Sequence, residues 1–359
     1  MISRNNEQKE YKLSQFKLHR EPRDQLARPL RDLRISVMDR CNFRCPYCMP
    51  QHTFNEGYRF LKSAERLSFD EIVRLARISA DLGVRKLRIT GGEPLLRANL
   101  SDLVGDLSTL PGIEDIALTT NGVLLGKYAA ELKAAGLSRI TVSLDSLDDA
   151  IFSKMSGGFG GVAEVLEGIE AAQRAGLTPI KVNAVVQRGI NDHTALSLVE
   201  KFRGTGVIVR FIEYMDVGNR NEWQADRVLP SAELAAQIHA RWPLESLDAN
   251  YKGEVAARQS FSDGQGEVGF ISSVSQPFCG NCSRARLSSD GSLFTCLFAL
   301  KGADIRGPLR AGATDDELIG LLSAIWHGRK DRYSELRASL EAKQSQVRAE
   351  KVEMFYIGG

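Results

Sequence analysis

Between Asp32 and about Gly218, short apolar runs alternate with longer amphipathic stretches. Six runs have the length and apolarity of strands: Leu33–Met38, Val84–Thr90, Asp115–Thr120, Ser138–Leu144, Pro179–Val186 and Val207–Tyr214. The stretches between them carry helix punctuation. Ser68 and Glu71 form a capping box ahead of Ile72, Leu75 and Ala76, and Gly83 closes that segment. Leu124–Ala135 stops at Gly136 and Val162–Ala175 stops at Gly176, as left-handed caps require. Such alternation predicts parallel strands joined by right-handed crossovers, in an open sheet or a partial barrel. Either way, reactive loops follow the C-terminal ends of the strands.

After Gly218 the rhythm breaks. Ser231–Ala240 and Thr314–His327 read as helices, the second opened by Thr314 and Glu317 as a capping box. Phe270–Ser273 reads as a short strand, Asn219–Gln276 otherwise reads as irregular, and the charged stretch Arg329–Glu353 reads as solvated helix or tail. Gly157-Gly-Phe-Gly-Gly161 lacks the Lys-Ser/Thr of a phosphate loop and reads as a flexible turn. The expected divisions are a flexible or loosely docked extension over 1–30, the strand–helix unit over 31–218 and a C-terminal region over 219–359.

Composition narrows the class. The 359 residues are 43% apolar and 26% charged, as in soluble globular proteins. Forty-seven Lys and Arg face 45 Asp and Glu, which argues against a general nucleic-acid binder but leaves room for local basic clusters. No apolar run has membrane-spanning length, and the polar, mixed-charge start Met1–Arg31 lacks a secretory core. The expected compartment is the cytoplasm, where six cysteines point to metal or redox chemistry rather than disulfides.

Those cysteines form two triplets. Cys41-Asn-Phe-Arg-Cys45-Pro-Tyr-Cys48 follows the first strand, and Cys279-Gly-Asn-Cys282 is completed by Cys296. Each triplet offers three thiolates where a closed metal site has four ligands. A cubane cluster held by three thiolates keeps one iron free for a substrate or cofactor. Zinc is the alternative for the first triplet, because His52 could close a Cys3His site.

The first triplet, with Tyr47 just before its last cysteine and Gly91-Gly92-Glu93-Pro94 after the second strand, resembles the signature of radical S-adenosylmethionine enzymes. Glycines there let backbone approach a ligand closely. The second triplet, Arg284-Ala-Arg286 and the terminal Gly358-Gly359 resemble, more narrowly, the family of lyases that cyclise GTP in the first step of molybdenum-cofactor biosynthesis. The similarity runs from about Arg31 to Gly359 and includes Thr119-Thr-Asn-Gly122 and Val142-Ser-Leu-Asp145. It implies an α/β fold, an incomplete parallel (β/α)6 TIM-like barrel closed by a C-terminal region that carries a second iron–sulfur cluster.

The resemblance also implies roles. Cys41, Cys45 and Cys48 would hold one [4Fe-4S] cluster, and Cys279, Cys282 and Cys296 a second that meets guanine. Tyr47, Gly92, Ser143 and Met215 would contact S-adenosylmethionine. Arg34, Arg88, Thr119, Lys181, Arg284 and Arg286 would surround GTP. An adenosyl radical would take the ribose 3′ hydrogen, and the ribose radical would attack C8. Arg284 and Arg286 would assist the late reduction, and Gly358 and Gly359, lacking side chains, could thread into the site and assist catalysis. A flavodoxin or ferredoxin would donate the electron, and cyclic pyranopterin monophosphate synthase could receive the product. A homodimer is compatible with all of this; a nucleic-acid or membrane partner is not expected.

The residue types fit independently. A triphosphate without a phosphate loop needs cationic side chains, and Arg forks match its oxygens. Lys86 and Arg88 alternate with Leu87 and Ile89, as one strand face requires. Asp145, Asp148 and Asp149 read as a helix-start cluster. Two other readings stand beside this one: a peptide-modifying radical enzyme with an auxiliary cluster, and a zinc-stabilised binding module.

Overall fold

The computed structural model describes residues 21–337 and 351–358. Six parallel strands form its centre: β1 (Asp32–Ser36), β2 (Lys86–Thr90), β3 (Asp115–Thr120), β4 (Arg139–Ser143), β5 (Ile180–Val186) and β6 (Ile208–Glu213), paired in that order. Helices cross between them: α1 (Phe69–Asp81), α2 (Leu100–Ser108), α3 (Leu125–Ala134), α4 (Asp149–Ser156), α5 (Val162–Arg174) and α6 (Ala195–Phe202). The Ser68 hydroxyl caps α1 by accepting from the Glu71 amide at 3.1 Å, as its capping box predicts.

Side-chain parity explains the layering. Leu33, Ile35, Leu87, Ile89, Leu118, Val142 and Val182 share one face of the sheet and are buried with the inner stripes of the helices. Alternate positions carry Arg34, Arg88, Thr119, Lys181 and Arg210, and these line a cavity on the other face. One face therefore builds the core and the other builds a site.

The C-terminal region supplies both margins of the same sheet. β10 (Arg284–Leu287) pairs parallel with β1, and β11 (Ser292–Phe294) and β12 (Ala303–Asp304) continue antiparallel. At the other margin β9 (Glu267–Ile271) pairs parallel with β6, followed by β8 (Ala257–Phe261) and β7 (Leu244–Leu247). The order ends at β7 and β12, and among the described residues no ladder joins them. Three further helices, α7 (Ser231–Arg241), α8 (Arg306–Arg310) and α9 (Asp315–His327), belong to this region. No helix among the described residues is long and apolar enough to cross a membrane.

Several expectations need correction. Asn219–Gln276 is not irregular, since it contains α7, β7, β8 and β9. β7 is largely exposed and so lacks the alternation that would reveal it. Residues 21–30 do not hang loosely: Asp24, Arg28 and Leu30 are buried, and Asp24 pairs with Arg28 at 2.6 Å and Arg329 at 3.2 Å. Arg329 and Arg337 are likewise buried rather than solvated, each held by a carboxylate. Residues 1–20 and 338–350 lie outside the described residues.

Candidate active site

A cavity with about 330 Å³ of solvent-accessible space opens on the inner face of the sheet, and both cysteine triplets line it. Cys41, Cys45 and Cys48 lie on the loop after β1. That loop has little regular structure, so its shape comes from specific ties. Arg44 donates to the carbonyls of Cys41 at 2.7 Å, Phe43 at 2.8 Å and Phe54 at 2.7 Å. A Cβ on Gly91 would stand 2.5 Å from the Met38 carbonyl oxygen, and one on Gly92 would stand 2.2 Å from that of Arg40. The close approach of these glycines is thus to the chain leading into the cysteine loop, and Gly92 also lines the cavity.

The glycine run at 157–161 braces the same loop from the other side. Gly157, at φ +75°, would put a Cβ 2.2 Å from the Arg44 carbonyl oxygen, and Gly160 would put one 2.7 Å from the Phe43 ring. It is a turn, but a packed one rather than a flexible one. Gly157→Ala should therefore destabilise the protein by about 1–3 kcal/mol, seen as a lower denaturant midpoint. Gly161, with φ −138° and nothing near, should tolerate the same change far better.

Burial pushes the Cys41 thiol up to about 12, helped by the charge of Glu93. Burial also raises Cys45, with Cys41 and Cys48 next in effect. Three half-buried thiols, two of them raised further by their neighbours' charge, form a sulfur-only donor set. Such a set fits an iron–sulfur cluster, which takes its thiols as thiolates. Among the described residues no three His, Cys, Asp or Glu side chains stand close enough to hold a single ion. His52 is exposed and does not line the cavity, so the Cys3His alternative is not assembled.

Cys279 and Cys282 flank a short turn before β10, and Cys296 follows β11. Burial pushes the Cys282 thiol up, but the charges of Arg284 and Arg329 outweigh it and hold it at about 6. Arg284 Nη2 lies 3.5 Å from the Cys282 sulfur. Cys296 is pushed up to about 11 by burial. The turn is fastened through its carbonyls: Arg28 donates to that of Cys279 at 2.6 Å and Arg329 to that of Cys282 at 2.7 Å.

Cations fill the space between the triplets. Arg286, Arg34 and Arg88 stand abreast in register on β10, β1 and β2. Arg88 donates to Thr119 at 3.1 Å and Thr141 at 3.3 Å, and Arg210 donates to Asn183 at 2.9 Å. Burial followed by the charges of Arg210 and Arg139 pushes Lys181 down to about 7, and burial with Arg88 pushes Arg210 down to about 9. Burial and then Arg286 and Arg88 hold Arg34 well below its usual range. The Nε atoms of Arg34, Arg88 and Arg284 are buried without a hydrogen-bond partner among the described residues. Carboxylates offset part of this charge: Asp115 pairs with Arg139 and lies 3.7 Å from Lys86, Asp32 lies 4.0 Å from Lys86, and Glu254 also lines the cavity. The cations outnumber these acids, and a buried excess of positive charge suits an anion.

The opposite wall differs in character. Tyr47 donates to Asp145 at 2.7 Å, and the Val185 amide donates to the same carboxylate at 2.8 Å. Burial pushes Asp145 up to about 6, against the effect of those two bonds. Asp145 thus separates from the helix-start cluster, whereas Asp148 does cap α4, accepting from the Ile151 amide at 2.9 Å. Ser143 and Met215 line the cavity as well. The chain end reaches it too, because Arg286 Nη1 donates to the carbonyl of Gly358, while Gly359 lies outside the described residues.

Comparison with known proteins decides what this arrangement belongs to. The chain is 55% identical to a GTP 3′,8-cyclase of Xanthomonas axonopodis pv. citri, over 94% of this chain and 98% of that one. It is 51% identical to that of Acidothermus cellulolyticus, over 94% and 99%, and 46% identical to that of Staphylococcus aureus, over 94% and 98%. This chain belongs to the GTP 3′,8-cyclase family. The Radical SAM superfamily profile matches residues 35–202, and the Molybdenum Cofactor Synthesis C profile matches 207–335. Among solved structures, Streptococcus suis SuiB bound to S-adenosylmethionine aligns with a TM-score of 0.56 over 87% of this chain and 68% of that one. SuiB bound to precursor peptide SuiA gives 0.58 over 86% and 66%. At 17% and 16% identity these two likenesses carry the fold alone.

The cavity is also lined by residues to which motif reading gave no role. Arg210 and Asn183 sit on the cavity face, and Arg210 shares the strand face of Ile208 and Ile212, so no polar alternation marks it. Glu93 is buried beneath the glycine motif, accepting from Thr120 at 2.7 Å and the Asn121 amide at 2.8 Å; burial pushes it up to about 7. Tyr251, whose hydroxyl lies 2.9 Å from Lys86 Nζ, comes from a segment with no recognisable pattern.

Proposed function

We propose that this protein is a radical S-adenosylmethionine enzyme that converts GTP to (8S)-3′,8-cyclo-7,8-dihydroguanosine 5′-triphosphate, the first step of molybdenum-cofactor biosynthesis. The observation that carries the reading is a row of buried arginines in register, lining the same cavity as two cysteine triplets. Family membership supports the first cluster and S-adenosylmethionine. The second cluster rests on the cavity position of Cys279, Cys282 and Cys296.

In this reading Cys41, Cys45 and Cys48 hold the initiating cluster, and Tyr47, Gly92, Ser143 and Met215 hold S-adenosylmethionine beside it. Cys279, Cys282 and Cys296 hold the second cluster near the base. Arg34, Arg88, Thr119, Lys181, Arg284 and Arg286 bind GTP. When bound, a reduced cluster and S-adenosylmethionine supply the one-electron chemistry that removes the ribose 3′ hydrogen. The electron comes from a donor of the flavodoxin or ferredoxin class.

The chain's own contribution is placement and charge. Arg88, Lys181 and Arg210 neutralise the triphosphate, relieving their mutual repulsion as they do so. Asp145 fixes the Tyr47 ring through its hydroxyl, setting the wall next to Cys48. Arg284 and Arg286 put positive charge beside the second triplet, where negative charge develops late in the reaction.

Anaerobic incubation with S-adenosylmethionine, GTP and dithionite tests the proposal. Cyclised nucleotide should appear, and 5′-deoxyadenosine should form faster with GTP than without it. Equal 5′-deoxyadenosine in both arms with no cyclised nucleotide would reject the reading. Arg210→Ala should raise KM for GTP by roughly 10- to 100-fold, the loss expected for a charged hydrogen bond, with kcat changed far less.

A further inference from the structure

Met215 lines the cavity, and the next residue is a buried acid. The Asp216 carboxylate accepts from Arg337 Nε at 2.9 Å, from Lys351 Nζ at 2.7 Å and from the Tyr333 hydroxyl. Lys351 Nζ also donates to the Asp216 carbonyl at 2.9 Å. Burial pushes this carboxyl up, but Lys351, Tyr333 and Arg337 together hold it below its usual range. It is therefore a fixed charge at the root of the chain end.

The neighbouring residues grip the same segment. The Asn219 side chain accepts from the Lys351 amide at 3.0 Å and donates to the Lys351 carbonyl at 2.5 Å. The Asn219 amide donates to Glu353 at 3.1 Å. Gly218 has φ +76°, and a Cβ there would lie 2.2 Å from a Glu353 carboxylate oxygen. Residues 216–219 thus clasp 351–353. Beyond the clasp Phe355 packs on Phe54 with ring centroids 4.8 Å apart, and Gly358 meets Arg286. The clasp also touches the second triplet's surroundings, because Tyr333 stacks on Phe298 at 4.4 Å, and the Phe298 amide lies 3.5 Å from the Cys296 sulfur.

We infer that Asp216 is a positioning residue for the chain end: its pairing with Lys351 sets the start of the tail so that the Gly358 carbonyl reaches Arg286 in the active site. The wall that carries Met215 and the tail are then one mechanical unit, and substrate sees both in register. The consequence for catalysis rests on the cyclase reading above; the mechanical claim does not.

Lys351→Met is the informative variant, because Asp216 keeps Arg337 and Tyr333 and is not left bare. Hydrogen exchange of the C-terminal peptide from residue 351, measured on the cluster-loaded enzyme, reads the tail directly. Exchange there should rise clearly above that of the wild type, while β6 keeps its protection and iron content is unchanged. Cyclised product per 5′-deoxyadenosine should fall by roughly tenfold, as for loss of a buried charged hydrogen bond. Lys351→Arg should restore both readouts, and Asp216→Asn with Lys351→Met should be no worse than Asp216→Asn alone. A tail that stays protected in Lys351→Met, with normal coupling, would overturn the inference. If the wild type makes no cyclised nucleotide, the cyclase reading fails while the exchange result still decides the clasp.

Discussion

Cys279→Ser will stop GTP conversion and spare S-adenosylmethionine cleavage. The two triplets line one cavity but hang on different supports. The first is held by Arg44 and by the close packing of Gly91, Gly92 and Gly157. The second is held by Arg28 and Arg329, which bind the carbonyls of Cys279 and Cys282. Serine at 279 keeps the carbonyl and its tie to Arg28 but replaces a soft thiolate with a hard, weakly acidic hydroxyl. Iron should therefore drop from roughly eight to roughly four atoms per chain, the difference of one four-iron cluster.

5′-Deoxyadenosine should still form in that variant, now uncoupled from product. Its GTP affinity should fall less than its turnover, since Arg34, Arg88 and Lys181 remain. Normal product formation would mean that the second triplet is structural. Loss of all iron together with lowered stability would instead locate the damage in folding, and the Arg28 contact would be the first suspect.

The fold was readable where helices cover the sheet. β3 runs from Asp115 to Thr120, the span its pattern predicts, because alternate residues there are buried against the core. β10 escaped notice for the opposite reason. Its sequence Arg-Ala-Arg-Leu alternates charge with apolarity, and charge on a strand normally means solvent; here it faces a cavity beside thiols. Arg210 was hidden instead by Ile208 and Ile212 on its own strand face. Asp145 was misread because Asp148 and Asp149 do start a helix, and only the tertiary contact with Tyr47 sets Asp145 apart. Asp24 and Arg28 pair four residues apart, but what buries them, Arg329 and the Cys279 carbonyl, is remote in sequence. Motifs marked residues that line the cavity, whereas the supports of the second triplet are long-range and pairwise.

Removing Gly358 and Gly359 will abolish cyclisation while leaving the iron content and the visible absorbance of the clusters unchanged. Arg286 is buried, and its guanidinium donates to the carbonyls of Ile357, at 3.4 Å, and of Gly358. Burial, followed by the charge of Arg284, pushes Arg286 down to about 10, and it stays a cation near neutral pH. Without the Gly358 carbonyl it loses its nearer acceptor, and the new carboxylate at Ile357 draws it away from its native direction. The upstream anchors at Lys351 and Phe355 survive the truncation, so the tail remains in place but falls short. Gly358→Ala makes the same point without deletion. Gly358 has φ +69°, and a Cβ there would stand 2.3 Å from Thr90 Cγ2 at the end of β2. Both the backbone angle and the space exclude a side chain. The alanine variant should therefore approach the truncation in lost product while retaining S-adenosylmethionine cleavage. A truncated enzyme with full cyclase activity would show that the Gly358 carbonyl only fills space beside Arg286 and does not orient it.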